Sequence, residues 1–462
     1  MYPRENKIMK RLALLTLVLL LPVFVFGQNV ESILETRLAE EPVGSALSAV
    51  IVDENGATFY NTGTVSKEAG ANAVDKHSVY EIGSITKVFT GILLAEAIKR
   101  GEVKSSDPIS KYLPSSIAPL KFADKEITLV DLSTHGSALP SIPDDFKPED
   151  PLNPYADYTV EQMYAFLGRY KLTREIGSQF EYSNLAVGLL GHILAKQAKM
   201  DYEDLVKKRI LEPLGMNDTA ITFTPEMKSR LAIGHDSAGK ATPNWDLPTF
   251  AGAGALRSTP NDMAKFLAAN LGLKKTSISD SLAKAQQLQH TYERENAPPV
   301  RIGFNWITSK PGEIDIQWHN GGTGGYRTFA GMDHSKKRGV FVATNGSASA
   351  DDIGFHLLDP NAKLRAVEPP KKEVELSKET LEQYVGKYEL TPAFAITITR
   401  EGKQLQLQAT DQPRFPLFAE KEDEFFLKVV KASVTFTRGE DGKVNGLILH
   451  QGGADTPGKK VQ

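Results

Sequence analysis

The residues best placed to do chemistry are Ser84-Ile85-Thr86-Lys87. On a helix, residues three apart share a face, so the Lys87 ammonium would sit beside the Ser84 hydroxyl and favour its alkoxide. Ile85, Val88, Phe89, Ile92, Leu93, Ala95 and Ile98 recur at spacings of three and four, which predicts a strongly apolar helix that stops at Gly101. A serine at the start of such a helix also meets unpaired backbone N–H groups and the positive end of the dipole, where an oxyanion is stabilised. Ser-x-x-Lys recurs at Ser237 and Ser281. Ser237 falls in the turn-like Asp236–Lys240, and Ser281 in a polar helical stretch with Asp280 as its expected cap. Only Ser84 follows Tyr80-Glu81-Ile82-Gly83 and opens a buried helix. The pattern by itself leaves both a nucleophile and a helix cap open for Ser84.

Two further elements carry chemistry-bearing residue types. Tyr182-Ser183-Asn184 is the single Tyr-x-Asn among the 14 tyrosines. A lysine nearby would lower the phenol pKa and let Tyr182 act as a base, and Asn184 would hydrogen-bond a substrate amide or carbonyl. A buried tyrosine followed by an asparagine cap fits the same residues. His319-Asn320-Gly321-Gly322-Thr323-Gly324-Gly325 places glycines where a substrate backbone would approach a strand edge, though a flexible loop fits too. The nine histidines show no clustered ligand spacing, so no metal is expected, and no cofactor.

Jointly, Ser-x-x-Lys, then Tyr-x-Asn, then a basic residue-x-Gly resembles the serine β-lactamase and penicillin-binding-protein superfamily. The resemblance is to its class C-like branch of esterases and D-stereospecific peptidases. Flanking segments strengthen it: Tyr80 to Gly91, Leu132-Ser133-Thr134-His135 with Leu139-Pro140, Gly254-Ala255-Leu256 with Ser258-Thr259, and Gly324-Gly325-Tyr326. It covers about residues 30 to 360. The resemblance implies that Ser84 is the nucleophile and that Lys87 and Tyr182 move its proton. It implies an oxyanion hole between the backbone N–H groups of Ser84 and Gly322, with Asn184, His319 and Gly321 binding substrate. His319 stands where β-lactamases of this branch carry lysine. With a reference pKa of about 6.5, it is largely neutral at pH 7. The expected activity is therefore hydrolysis of a D-amino-acid peptide, a peptidoglycan-type peptide or a carboxylic ester through an acyl-enzyme. Weak β-lactamase turnover and a non-catalytic penicillin-binding or sensory module are the alternatives. Thr134-His135-Gly136-Ser137 departs from the commoner Thr-His-Thr-Ser, and is taken as a loop variation.

The elements that must position these residues follow from pattern. Asn55-Gly56 between two β-like runs predicts a hairpin after residue 45. Thr159–Phe166, Ala186–Ala198 and Asp201–Leu211 read as helices, Tyr326–Met332 and Gly339–Thr344 as strands, and residues 134–158 as a long surface loop. Strands at both ends with helices between predict an α/β fold, an antiparallel sheet of remote segments with flanking helices and a helical subdomain. Beyond residue 376, short β-like runs at Ala395–Thr399, Leu405–Gln408, Phe425–Val430, Ser433–Thr437 and Val444–Leu449 predict an all-β barrel or sandwich. With Tyr384-Val385-Gly386-Lys387-Tyr388, it resembles the lipocalin-like β-domains appended to such hydrolases.

The chain has 462 residues, 54 basic against 57 acidic, for a net charge of −3. That balance gives no reason to expect a nucleic-acid partner; the expected partner is a small-molecule or peptide substrate, and the oligomeric state is left open. The absence of cysteine excludes disulfides, thiolate nucleophiles and Cys-bound zinc. Lys7, Lys10 and Arg11, then the apolar Leu12–Phe26 broken by Pro22, then Gly27, have the layout of a secretory signal. The run is too short and interrupted for a span, so a periplasmic or secreted protein with no stable membrane span is expected. The expected organisation is a signal at 1–27, a hydrolase domain at 28–360, a linker at 361–375 and a β-domain at 376–462.

Overall fold

The structure, a computed structural model, describes residues 22–461 except 41–43, 296, 367–372, 392–393, 411–413, 428–431 and 452–453. The expected leader up to residue 21 and residues 367–372 of the expected linker lie outside the described residues. So does the end of the expected strand Phe425–Val430, of which Glu424–Leu427 is seen. Helix α1 (Pro22–Glu40) runs through the expected signal boundary at residue 27.

The hairpin forms as its Asn-Gly turn predicts: β1 (Ala46–Asp53) pairs with β2 (Gly56–Gly63). Six strands from the far end of the domain complete the sheet. They are β3 (His290–Arg294), β4 (Ala297–Ile302), β5 (Ile307–Ser309), β6 (Ile316–Gly322), β7 (Arg327–Asp333) and β8 (Arg338–Thr344). The antiparallel order is β2-β1-β8-β7-β6-β5-β4-β3. Its seam joins remote segments, with Leu47 opposite Thr344 and Val52 opposite Gly339.

Both faces of the centre are covered, so β1 is apolar at nearly every position rather than alternating. Val50, Val52, Phe341 and Met332 point to the main core. Leu47, Ile51, Val340 and Phe329 point to a second core with Val30 and Leu34 of α1 and Ile353 and Leu357 of α7 (Asp351–Leu358). Helix α2 (Thr86–Lys99) is buried from Thr86 to Ala97, which is why its sequence is apolar on all sides. It ends at Gly101, whose φ of +70° suits a helix stop. Around it lie α3 (Val160–Arg169), α4 (Asn184–Ala198), α5 (Pro260–Asn270) and α6 (Ser279–Gln286). Phe89 of α2 stacks on Phe266 of α5 at 4.4 Å.

The remaining expectations resolve as follows. Thr159 caps α3 in a capping box with Gln162. The helix after Asp201 runs from Tyr202 through a π-helical turn, Lys207–Leu211, to Leu214. Residues 134–158 are only partly a surface loop: Thr134 to Leu139 are buried. Asp280 is not a cap; it is exposed and pairs with Lys99, and Ile278 holds the cap position of α6.

The C-terminal part is a closed barrel of eight antiparallel strands between Gly386 and Lys460, which settles barrel over sandwich. Tyr384, Tyr388, Ile398, Leu407, Val434 and Phe436 fill its interior. Eight strands leave a lumen about wide enough for side chains alone. No helix among the described residues is long and apolar enough to cross a membrane.

Candidate active site

Ser84 lies in a single 3-10 turn, Gly83–Ile85, that leads into α2. The turn is held from three sides. Ile82 N–H donates to Leu256 O (3.0 Å), Thr328 Oγ1 donates to Ile82 O (3.0 Å), and Leu256 N–H donates to Thr86 Oγ1 (3.1 Å). Before it, Tyr80-Glu81 pairs with Arg257-Ser258, and the buried Glu81–Arg257 ion pair (3.2 Å) locks that bridge. Strand β6 passes against the turn with no room for side chains. A Cβ on Gly83 would lie 2.7 Å from Gly322 N, and Gly83 holds φ +51°; a Cβ on Gly321 would lie 1.9 Å from Ile82 O. The closeness sets the Gly322 backbone next to that of Ser84.

Lys87 is fully buried one turn below Ser84. Its Nζ contacts Ser84 Oγ (2.9 Å), Asn184 Oδ1 (2.7 Å) and Ala253 O (2.7 Å). Burial drives its pKa well below the ordinary lysine value. It donates to Asn184 and Ala253, and in its deprotonated form it would turn its lone pair to the Ser84 hydroxyl. The same three contacts serve the ammonium once a proton arrives.

The Tyr182 ring lies 4.8 Å from Lys87 Nζ. Burial raises the phenol above its usual 10, and the contact with Ser84 offsets only part of that. The expected lowering by a lysine neighbour is thus reversed, because desolvation outweighs it. Ser183, rather than Asn184, caps α4, accepting from Ala186 N–H (2.9 Å). That frees the Asn184 amide for the site. Its Nδ2 donates to Tyr155 Oη (3.2 Å) while its Oδ1 faces Lys87.

The Tyr182–Asn184 turn is carried by the segment 135–141, buried as far as Leu139. Gly177 N–H bonds Gly136 O (2.8 Å), Glu181 N–H bonds His135 O (2.9 Å), and Asn184 N–H bonds Ser141 O (2.9 Å). Ser183 N–H donates to His135 Nδ1 (3.1 Å), and the His135 ring stacks on Tyr182 at 4.6 Å. His135 adopts φ +60° to do this. Gly136, the departure from Thr-His-Thr-Ser, has a steric cause: a Cβ there would lie 2.1 Å from Tyr292 Oη, on strand β3.

His319 is fully buried on β6, its ring 6.1 Å from Tyr182. Its Nδ1–H donates to Asn320 O (2.6 Å), which leaves Nε2 as an acceptor without a protein partner. Desolvation, then the nearby Lys87, pushes its pKa down to about 3. It is therefore uncharged at neutral pH. The structure thus brings Ser84, Lys87, Tyr182, Asn184, His319, Gly321 and Gly322 into one site. Of the other Ser-x-x-Lys serines, Ser237 lies in a turn closed by Asp236, and Ser281 is buried against Glu96 of α2. The motifs gave no sign of Tyr155, Trp245 or the Ala253 carbonyl. Tyr155 and Trp245 form an aromatic wall (5.4 Å), with Trp245 Nε1 donating to Leu152 O (3.0 Å).

Comparison with known proteins places the chain in a family. The family model described as Beta-lactamase matches residues 34–357. The chain belongs to the Beta-lactamase family. As a member, it shares the serine hydrolase character of its relatives. It is 31% identical over 316 residues to the "D-alanyl-D-alanine-carboxypeptidase/endopeptidase AmpH" of Escherichia coli, covering 66% of this chain and 80% of the relative. It is 26% identical over 410 residues to "Penicillin-binding protein 4*" of Bacillus subtilis, covering 82% and 87%. Among solved structures, the "Beta-lactamase/D-alanine Carboxypeptidase" of Yersinia pestis, complexed with citrate, aligns with TM-score 0.59 and 26% identity over 70% of this chain and 94% of that one. Residues 370–460 match a domain of unknown function, DUF3471.

Proposed function

We propose that this family member is a two-step acyl-transfer hydrolase that opens an amide or ester at Ser84, with D-amino-acid and peptidoglycan-type peptides as the leading substrates. The observation that carries the reading is Lys87 Nζ, buried, with its pKa driven down by that burial, 2.9 Å from Ser84 Oγ. Lys87 takes the serine proton as Oγ attacks the carbonyl carbon. Tyr182, a neutral phenol beside both groups, passes a proton to the leaving group, and in the second step the pair activates water. The Ser84 and Gly322 backbone N–H groups hold the oxyanion. The free Asn184 Nδ2 hydrogen and the Gly321 backbone align the substrate, and His319 shapes the site without adding charge.

The named activity of the AmpH relative supports a peptide substrate. An uncharged His319 argues against strong β-lactamase turnover, since no fixed cation stands at that position. The test is a panel of D-peptides, esters and a chromogenic cephalosporin, alongside labelling by a fluorophosphonate. Turnover and labelling that vanish in Ser84→Ala are expected. Equal labelling of both proteins refutes the proposal. We also assign the protein to the periplasm or exterior, on its basic and apolar leader; a mature N-terminus near residue 28 in the exported fraction is the expected result, and retention of the full leader in the cytoplasm the contrary one.

A further inference from the structure

We infer that His135 is the positioning residue for Tyr182, gripping the phenol ring and the chain on both sides of it. This rests on the acyl-transfer reading above and adds a residue to its machinery.

Tyr182 needs such a grip. It lies in irregular backbone two residues before α4 begins, so its place depends on tertiary contacts. The proton transfers assigned to it tolerate little misplacement, since an error of about 1 Å can cost roughly 10²-fold in rate. His135 makes three contacts with three consecutive residues. Its carbonyl accepts from Glu181 N–H (2.9 Å), its ring stacks on Tyr182 at 4.6 Å, and its Nδ1 accepts from Ser183 N–H (3.1 Å). Ser183 in turn caps α4 through Ala186 N–H (2.9 Å), so the same grip fixes where Asn184 starts the helix.

His135 is itself held firmly. Its φ of +60° lies in the left-handed region, which a non-glycine residue keeps only where its surroundings impose it. On one side, Thr134 Oγ1 donates to Val130 O (2.9 Å) and so ties the segment to the short helix Leu129–Ser133. On the other, Gly136 lies so close under Tyr292 Oη that a Cβ does not fit. Tyr292 Oη also donates to Thr134 Oγ1 (3.3 Å), so one phenol spans both neighbours of His135. The Phe180 ring meets the imidazole edge-on at 5.4 Å.

The imidazole must also be neutral. Nδ1 accepts from Ser183 N–H only while it carries no proton, so the proton sits on Nε2; an imidazolium would set two donors face to face. Burial, then Lys87, then His319 push the His135 pKa well below the ordinary histidine value, which keeps that acceptor in place.

The experiment is a double-mutant cycle on kcat for an activated ester, with fluorophosphonate labelling of Ser84 to count working sites. His135→Ala and His135→Asn are made in the wild type and in Tyr182→Phe. In the wild type, His135→Ala should lower kcat per labelled site by roughly tenfold to a hundredfold, with KM changed less than about twofold. His135→Asn should recover part of that, because asparagine tolerates a left-handed φ and its Oδ1 can take the Ser183 N–H. In Tyr182→Phe the same substitutions should cost less than about twofold, because they act through the phenol. Equal losses in both backgrounds overturn the assignment. So does a fall in melting temperature with kcat per labelled site unchanged, the mark of a merely structural role. Imidazole nitrogen NMR of the wild type at neutral pH depends on no variant: a His135 proton on Nε2 alone is expected, and one on Nδ1 overturns the grip. Labelling that survives Ser84→Ala overturns the acyl-transfer reading instead, and leaves the tautomer standing.

Discussion

His319→Gln should make the fold less sensitive to acid. In the unfolded chain His319 takes up a proton near pH 6.5, whereas in the folded protein burial and Lys87 hold its pKa down to about 3. A base whose folded pKa is depressed favours folding only while it is neutral. Its contribution is complete above pH 6.5 and is lost as pH falls towards 3. At pH 4.5 the unfolded form is about two units below its pKa and the folded form is still neutral, so the loss is about 3 kcal/mol. Glutamine keeps a polar amide facing the Asn320 carbonyl and does not titrate. Urea unfolding of both proteins from pH 7.5 to pH 4.5 isolates the term, because every other group is common to the pair. The stability difference between wild type and variant should narrow, or invert, by about 3 kcal/mol over that range. Parallel curves would show that His319 is not buried and neutral as described.

Gly83→Ala forces a Cβ against Gly322 N at a left-handed φ, so kcat for an ester should fall by roughly 10²- to 10³-fold through the displaced oxyanion donors; unchanged kcat refutes the packing. Gly136→Thr should cost about 1–3 kcal/mol in a urea melt by overpacking against Tyr292 Oη, and Tyr292→Phe should recover part of it. A double-mutant cycle with no coupling would count against that contact. Glu81→Ala leaves Arg257, which is only 3% exposed, with the longer pair to the exposed Asp246 (3.7 Å) as its remaining counter-ion, and should lose about 3 kcal/mol in thermal or chemical unfolding. A loss under about 1 kcal/mol would mean water reaches the pair.

Legibility in the sequence followed the range of each constraint. Ser84 and Lys87 could be read because one helical turn joins them, and α2 because burial on all sides leaves a long apolar run. The β-hairpin was legible from Asn55-Gly56. Strands β3 to β5 were not, because they lie at the sheet edge, where β3 is largely exposed and its His290–Arg294 run has little apolar alternation. The Ala253 carbonyl is a backbone group, which no residue type announces. Tyr155 reaches Asn184, and Trp245 reaches Leu152, only through the tertiary fold. The segment 134–139 looked like surface loop for its polar residues, yet it is buried because its carbonyls and His135 hold the turn that carries Tyr182. The Tyr182 phenol misled for a related reason: proximity to a lysine was readable, and the burial of both was not.

The seam between β1 and β8 has a consequence for how the protein is made. Leu47 meets Thr344, so the centre of the sheet cannot close until nearly the whole hydrolase domain has left the ribosome. At about 5–20 residues per second, that is a wait of roughly 15–60 s. Through that interval the apolar Ala46–Val52 has β2 for company on one edge and nothing on the other. Such an open edge is an invitation to pair with other chains. Strand β6, Ile316–Gly322, arrives in the same late stretch, so under the proposed mechanism Ser84 and Lys87 are made long before their oxyanion partner. Under that mechanism, completion of the sheet and the onset of activity are one event in the life of the molecule.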